Sequence, residues 1–194
     1  MARLYFLTMD DAPIGAVQQV EAACRAGIKW IQLRMKHASD EEMLEAARAV
    51  MRVCAMWDCR LIVNDRVHVA LEAGADGVHL GKEDMAVHAA RGILGPDAII
   101  GGTANTVEDV RELWRQGANY IGLGPYRFTT TKKNLSPILG LEGYRRIMGE
   151  LRLEGFGLPV FAIGGIQSEE IASLVEAGCS GVAFSGMLVK TLLC

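Results

Sequence analysis

The sequence predicts an α/β fold: a single parallel (βα)8 barrel of the TIM-barrel class, one catalytic domain over residues 1–194. Three observations carry this expectation. Eight short apolar runs alternate with stretches of helical periodicity along the chain. The runs are apolar throughout rather than alternating, as strands of a parallel sheet covered on both faces are. Four helix-to-strand junctions share one grammar, in Ala26-Gly27-Ile28-Lys29-Trp30-Ile31, Ala73-Gly74-Ala75-Asp76-Gly77-Val78, Gln116-Gly117-Ala118-Asn119-Tyr120-Ile121 and Ala177-Gly178-Cys179-Ser180-Gly181-Val182. In each, a glycine is placed to cap the helix in the left-handed conformation, and a short link leads into the next strand. Eight strands in a chain this short fit a closed barrel better than a doubly wound open sheet.

The elements follow in order. Leu4–Thr8 reads as the first strand; it is too short for a secretory leader and runs into Asp10-Asp11. Trp30–Arg34 is the second strand. Asp40–Met56 is the clearest helix, with Ser39 as N-cap and Glu42 three residues later forming a capping box. Leu61–Asp65, Gly77–Gly81 and Ile99–Thr103 are strands three to five. Thr106 with Glu108-Asp109 opens the following helix, its acidic first turn suiting the helix dipole. Tyr120–Pro125 is strand six. Glu154-Gly155-Phe156-Gly157-Leu158-Pro159 reads as a turn before strand seven, Val160–Ile166. Ser168 with Glu170-Ile171 starts another helix, Gly181–Gly186 is strand eight, and Met187–Cys194 is a truncated last helix.

Composition narrows the class of function. The net charge is −3, so no global basic field invites nucleic acid, and any anion site must be local. No apolar stretch approaches the ~20 residues of a membrane span. Five cysteines (Cys24, Cys54, Cys59, Cys179, Cys194), odd in number and without a CxxC pair, read as reduced thiols of a cytoplasmic protein. His37, His68, His79 and His88 show no metal-ligand spacing; His79 lies in a strand and is expected to be packed and hydrogen-bonded. A homo-oligomer is compatible with the sequence.

In a barrel, the carboxyl ends of the strands converge on one mouth. Gln32, Arg34 and Lys36 alternate at the end of strand two and make a diphosphate clamp if the run stays extended. Asp65 and Asp84 come from adjacent strand ends. Their carboxylates can share one hard cation such as Mg²⁺, which takes one or two carboxylates plus substrate phosphates. A helix N-cap is the competing reading of Asp84. Asn64 is a hydrogen-bonder for a polar ring or an amine, and Thr103 suits either a phosphate or a helix cap. Gly124-Pro125-Tyr126-Arg127-Phe128-Thr129-Thr130-Thr131-Lys132-Lys133 joins hydroxyls, ammonium groups and backbone N–H donors in one anion-handling loop. Gly164-Gly165 and Ser185-Gly186, after strands seven and eight, stand where barrels bind a phosphate with backbone groups. The mouth therefore holds two anion sites, one with a metal and one without, for two phosphorylated small molecules or one bisphosphate.

The order and spacing of these segments resemble the thiamine phosphate synthase family. The resemblance covers the chain from Leu4-Tyr5 to Gly186 and rests on Gln32-Leu33-Arg34-Met35-Lys36, Asn64-Asp65-Arg66, Gly77-Val78-His79-Leu80-Gly81 with Asp84, Gly124-Pro125 to Thr129-Thr130-Thr131-Lys132, and Ala162-Ile163-Gly164-Gly165-Ile166. It implies a transferase in which the ring nitrogen of a thiazole phosphate attacks a pyrimidine bearing a hydroxymethyl diphosphate. Pyrophosphate leaves and thiamine phosphate forms. It also implies that Gln32, Leu33, Arg34, Met35, Lys36, Asn64, Thr103 and Lys132 hold the pyrimidine diphosphate, with Arg34, Lys36 and Lys132 as the catalytic cations. Asp65 and Asp84 would hold Mg²⁺. Thr129, Thr130, Thr131, Gly165, Ser185 and Gly186 would hold the thiazole phosphate. The chain departs from the family at Thr103 and Asn105, where serine and histidine are usual, and at Phe184-Ser185-Gly186, where serine is often last. The rival readings are a thiazole tautomerase, which needs a proton shuttle and no diphosphate clamp, a sugar-phosphate epimerase using Asp65 and Asp84 as acid and base, and a non-catalytic barrel that binds phosphorylated ligands.

Overall fold

A computed structural model describes residues 3–128 and 137–185. Its strands are β1 (Arg3–Leu7), β2 (Trp30–Leu33), β3 (Arg60–Asn64), β4 (Gly77–Leu80), β5 (Ile99–Ala104), β6 (Tyr120–Leu123), β7 (Val160–Ile163) and β8 (Gly181–Phe184). Between them run α1 (Ala16–Arg25), α2 (Asp40–Trp57), α3 (Val67–Ala73), α4 (Val87–Leu94), α5 (Val107–Arg115), α6 (Gly140–Leu153) and α7 (Ile171–Glu176). All strand pairs are parallel and in chain order. The ring closes where β1 pairs with β8, Arg3 opposite Gly181 and Phe6 opposite Phe184. The expected (βα)8 barrel is thus observed. Most strands stop short of the sequence expectation at their carboxyl ends, among them β2 at Leu33, β6 at Leu123, β7 at Ile163 and β8 at Phe184, whereas β5 runs one residue past it to Ala104. The expected last helix, Met187–Cys194, lies outside the described residues.

Local chemistry explains the elements. The Ser39 hydroxyl accepts the Glu42 N–H at 3.2 Å, and the Glu42 carboxylate accepts the Ser39 N–H at 2.7 Å. Thr106 and Asp109 form the same reciprocal box at the start of α5. Such a cap is worth about 1 kcal/mol. All four junction glycines have positive φ, at 81°, 68°, 84° and 109° for Gly27, Gly74, Gly117 and Gly178. Each closes a helix with the same paired bonds, for example Gly27 N–H to Cys24 O at 2.9 Å and Ile28 N–H to Ala23 O at 3.1 Å. Ser168 starts the helical segment expected there, in a particular form. It does not cap a helix but begins a single 3₁₀ turn, Ser168–Glu170, before α7, and the reciprocal contact belongs to Gln167, whose N–H reaches the Glu170 carboxylate at 2.8 Å.

Strand alternation divides the apolar residues into two cores. Ile31, Leu33, Leu61, Val63, Val78 and Leu80 point outward and pack beneath the helices. Tyr5, Ile62, Tyr120, Phe161 and Ala183 point into the barrel, joined by Trp30. Full burial of each large side chain contributes about 1.5–3 kcal/mol. The cysteines behave as small core residues. Cys24 and Cys59 are free thiols with their sulfurs 3.4 Å apart, and burial pushes the thiols of Cys24, Cys54 and Cys179 up to about 12. No described helix is long and apolar enough to cross a membrane.

Candidate active site

The carboxyl end of the barrel gathers the expected side chains from separate strands. Gln32 is the last inward residue of β2 and is 2% exposed, so it forms part of the floor. Its Nε2 donates to the Tyr5 hydroxyl at 2.8 Å. Beyond Leu33 the chain leaves the sheet, and Arg34 and Lys36 are held by their backbones. The Arg34 N–H donates to the Thr8 hydroxyl at 2.8 Å, and that hydroxyl donates to the Arg34 carbonyl at 3.1 Å. The Lys36 N–H donates to the Asp10 carboxylate at 2.9 Å. The simple alternation expected for Gln32, Arg34 and Lys36 therefore ends at the strand. Leu33 is fully buried beneath the helices and Met35 packs against the same core.

Asp65 terminates β3 in a tight turn. Its φ is 63°, a left-handed conformation that aspartate tolerates better than most residues, and its N–H donates to the His79 carbonyl at 2.9 Å. The next N–H, of Arg66, bonds back to the Asn64 carbonyl at 2.8 Å. Asp84 is not a helix cap, since α4 is capped by Ala86. Instead its Oδ2 accepts the Gly81 N–H at 2.6 Å. This turn sets the two carboxyls beside one another. Burial, and then the neighbouring Asp84, push Asp65 up to about 6, opposed by the Lys36 ammonium and a hydrogen bond from Asn64. Two carboxyls held close enough to raise a pKa are what a shared cation relieves. Among the described residues no group of three or more His, Cys, Asp or Glu could hold a metal, so such an ion would complete its shell with water and substrate oxygens.

Thr103, on β5, faces inward and meets His79 Nε2 at 3.0 Å; the helix cap it was weighed for is supplied by Thr106. Asn105 donates through its side-chain amide to the Gly124 carbonyl at 2.5 Å and through its N–H to Asp109 at 2.8 Å. It braces the start of the loop that follows β6. That loop enters through a cis Gly124–Pro125 bond and runs along the end of β7, with Tyr126 N–H on Ile163 O at 2.8 Å and Arg127 N–H on Gly164 O at 3.0 Å. Here the paired glycines are required by space. A Cβ on Gly164 would lie 2.9 Å from Pro125, and one on Gly165 would lie 2.4 Å from the Arg127 side chain. Arg127 is fixed by an ion pair with Glu170. Ser185 directly follows β8 at the same end. Thr129, Thr130, Thr131, Lys132 and Gly186 lie outside the described residues.

The sequence reading missed three residues that build this floor and rim, Tyr5, Tyr120 and Arg66, whereas His79 is packed and hydrogen-bonded as expected. Tyr5 and Tyr120 bond to each other in the barrel lumen, and His79 joins Tyr120 to Thr103. Arg66 donates to the carbonyls of Ala38 and Ser39 and pairs with Asp40 at 3.1 Å, which pins the loop carrying Lys36. The inward parity of Tyr5 and Tyr120, opposite the side-chain-free Gly101, was the available signal.

The chain is similar to known proteins along nearly its whole length. A family profile described as thiamine monophosphate synthase matches residues 4–188. A protein of Bacteroides fragilis named thiamine-phosphate synthase is 47% identical over 190 residues, covering 98% of this chain and 93% of its own. A Bacteroides thetaiotaomicron protein of the same name is 46% identical, covering 98% and 91%. A solved structure of thiamine phosphate pyrophosphorylase from Pyrococcus furiosus superposes with a TM-score of 0.85 at 34% identity, covering 96% of this chain and 87% of that one.

Proposed function

This chain belongs to the thiamine monophosphate synthase family, and on that premise we propose how its barrel mouth carries out the transfer that makes thiamine phosphate. The protein is a transferase of thiamine biosynthesis acting on small phosphorylated substrates. The reaction joins the hydroxymethylpyrimidine diphosphate to the thiazole phosphate with release of pyrophosphate. The observation that carries the mechanism is the pair of adjacent carboxyls, Asp65 and Asp84, bordered by Lys36.

The thiazole nitrogen carries no proton, so the reaction needs no general base to activate it. The barrier lies in departure of pyrophosphate from a carbon that the aminopyrimidine ring can stabilise as a cation. Asp65 and Asp84 would hold Mg²⁺, which supplies positive charge against the growing charge of the leaving group. Arg34, Lys36 and Lys132 donate to the diphosphate oxygens and strengthen as negative charge collects there. Gln32, Asn64 and Thr103 orient the pyrimidine ring. The Thr129–Thr131 hydroxyls, the Gly165 backbone, Ser185 and Gly186 hold the thiazole phosphate so that its ring nitrogen faces the carbon the diphosphate leaves. The bond to the diphosphate breaks before the bond to thiazole is substantially formed, and the chain works in the cytoplasm.

An electron-withdrawing substituent on the pyrimidine tests this order of events. A dissociative step slows by orders of magnitude as the substituent destabilises the cation, in single-turnover assays with both substrates saturating. A rate that does not respond would replace it with direct displacement. A tautomerase reading loses ground because it would leave the paired carboxyls and the neighbouring cations without a use, and because His79 is engaged through both ring nitrogens.

A further inference from the structure

We propose that Tyr5, Tyr120 and His79 are positioning residues: a one-directional hydrogen-bonded chain through the barrel lumen that fixes, from below, how Gln32 and Thr103 meet the pyrimidine. This rests on the pyrimidine assignment of those two residues given above. The chain has four links. Gln32 Nε2 donates to the Tyr5 hydroxyl at 2.8 Å, and the Tyr5 and Tyr120 hydroxyls are 2.8 Å apart. Tyr120 then meets His79 Nδ1 at 3.0 Å, and His79 Nε2 meets the Thr103 hydroxyl at 3.0 Å.

The direction follows from the first donor. An amide nitrogen can only donate, so Tyr5 accepts from Gln32; its own hydrogen meets no other acceptor among the described residues and goes to Tyr120. Tyr120 passes its hydrogen to His79 Nδ1, which must then be the unprotonated nitrogen. The ring proton sits on Nε2 and is donated to Thr103. Thr103 therefore accepts from below and turns its hydroxyl hydrogen toward the mouth as a donor. At the other end, Gln32 cannot rotate without losing its bond to Tyr5. Its Oε1 bonds to no other described residue, and Gln32 is the last inward residue of β2, so in the proposed chain this oxygen turns toward the mouth. The floor thus offers one acceptor and one donor at set positions, a pattern that reads the amino group and a ring nitrogen of an aminopyrimidine.

The lumen is built for the chain. Tyr5 and Tyr120 are at most 2% exposed and enclosed by aromatic rings, with Trp30 at 5.7 Å from Tyr5 and 5.3 Å from Tyr120 and Phe161 at 5.4 Å and 5.8 Å. Two glycines open the room. A Cβ on Gly101 would lie 2.0 Å from the Tyr120 ring, and one on Gly122 would lie 3.0 Å from the His79 ring. Burial holds both phenols well above their usual range, so each keeps the hydrogen it passes on. Apolar residues would fill a barrel interior with no polar groups to satisfy. A continuous polar chain instead carries orientation from one wall of the mouth to the other.

The test combines spectroscopy with kinetics on the full chain. Side-chain ¹⁵N resonances of His79, assigned by their loss in His79→Gln, are recorded without ligands. The expected result is a neutral ring protonated at Nε2 in the parent and a mixture of tautomers in Tyr120→Phe. Kinetics of Tyr5→Phe and Tyr120→Phe are then measured, each with its melting temperature as a check on folding. The KM for the pyrimidine diphosphate should rise about three- to tenfold, the loss of one or two neutral hydrogen bonds. The KM for the thiazole phosphate should stay within about twofold of the parent's. A proton on Nδ1 in the parent would reverse every link and overturn the proposal. So would an unchanged pyrimidine KM in both variants, or equal rises for the two substrates. Failure of the parent to make thiamine phosphate would count instead against the functional reading, which the tautomer measurement does not require.

Discussion

Replacing Asp84 by asparagine should make the metal-free protein more stable while removing its metal-dependent activity. Asp65 is pushed up to about 6, first by burial and next by Asp84. The folded pKa lies above the unfolded value of about 3.9, so ionised Asp65 opposes folding at neutral pH. A rise of about two pKa units corresponds to about 3 kcal/mol as an upper bound. Asp65 is only partly buried and Asp84 is not the leading cause, so after allowance for screening about 1 kcal/mol belongs to the pair. The substituted amide would keep an oxygen for the Gly81 N–H, now 2.6 Å from Asp84, and could donate its NH₂ group to Asp65. For a chain of this length the gain raises the melting temperature by about 2–4 °C. The sign in pH is fixed. The gain is complete above about pH 6, shrinks as Asp65 takes up its proton, and is gone below about pH 4. Thermal melts of parent and Asp84→Asn in a chelator, at about pH 7.5 and about pH 4.5, read it out. Destabilisation of equal size at both pH values would refute the reasoning and leave the Gly81 turn as the main work of Asp84.

Three further outcomes follow from the geometry. Gly101→Ala places a Cβ 2.0 Å from the Tyr120 ring and should cost about 1–3 kcal/mol or more in urea unfolding; an unchanged midpoint would contradict the packing described. In a Cys194→Ser background, Cys24, Cys54, Cys59 and Cys179, all buried, should resist an aromatic disulfide reagent at about pH 8 until the protein is unfolded, and prompt release of any thiol by the folded chain would contradict their burial. Arg66→Met frees the loop that carries Lys36 and should raise the KM for the pyrimidine diphosphate several-fold at a stability loss of about 1 kcal/mol; steady-state kinetics showing both KM values unchanged would remove Arg66 from the site's supporting structure.

Much of this was legible in the sequence because it is local. The Ser39 and Thr106 boxes span three residues each, and the four capping glycines announce a conformation that only their own neighbours need satisfy. Strand identity came from apolar runs, but strand ends did not. β2 stops at Leu33 because the following backbone turns to Thr8 and Asp10, contacts 26 residues away in sequence that no periodicity reveals. The Asp65–Asp84 pair was readable as two carboxyls at adjacent strand ends, whereas the choice between helix cap and mouth for Asp84 waited on Ala86 capping α4. The lumenal chain was hidden for the same reason. Tyr5 and Tyr120 are 115 residues apart, and alternation says which way each faces but not which residue it meets.

The most direct test of the account mixes the protein with the pyrimidine diphosphate, the thiazole phosphate and Mg²⁺, and follows thiamine phosphate by oxidation to its fluorescent product. A doubly substituted Asp65→Ala, Asp84→Ala protein runs beside it. Product from the parent, with at least about a hundredfold less from the variant, is what two carboxyls acting on a departing pyrophosphate require. Binding of both substrates by the parent without product, or equal product from the two proteins, would contradict it.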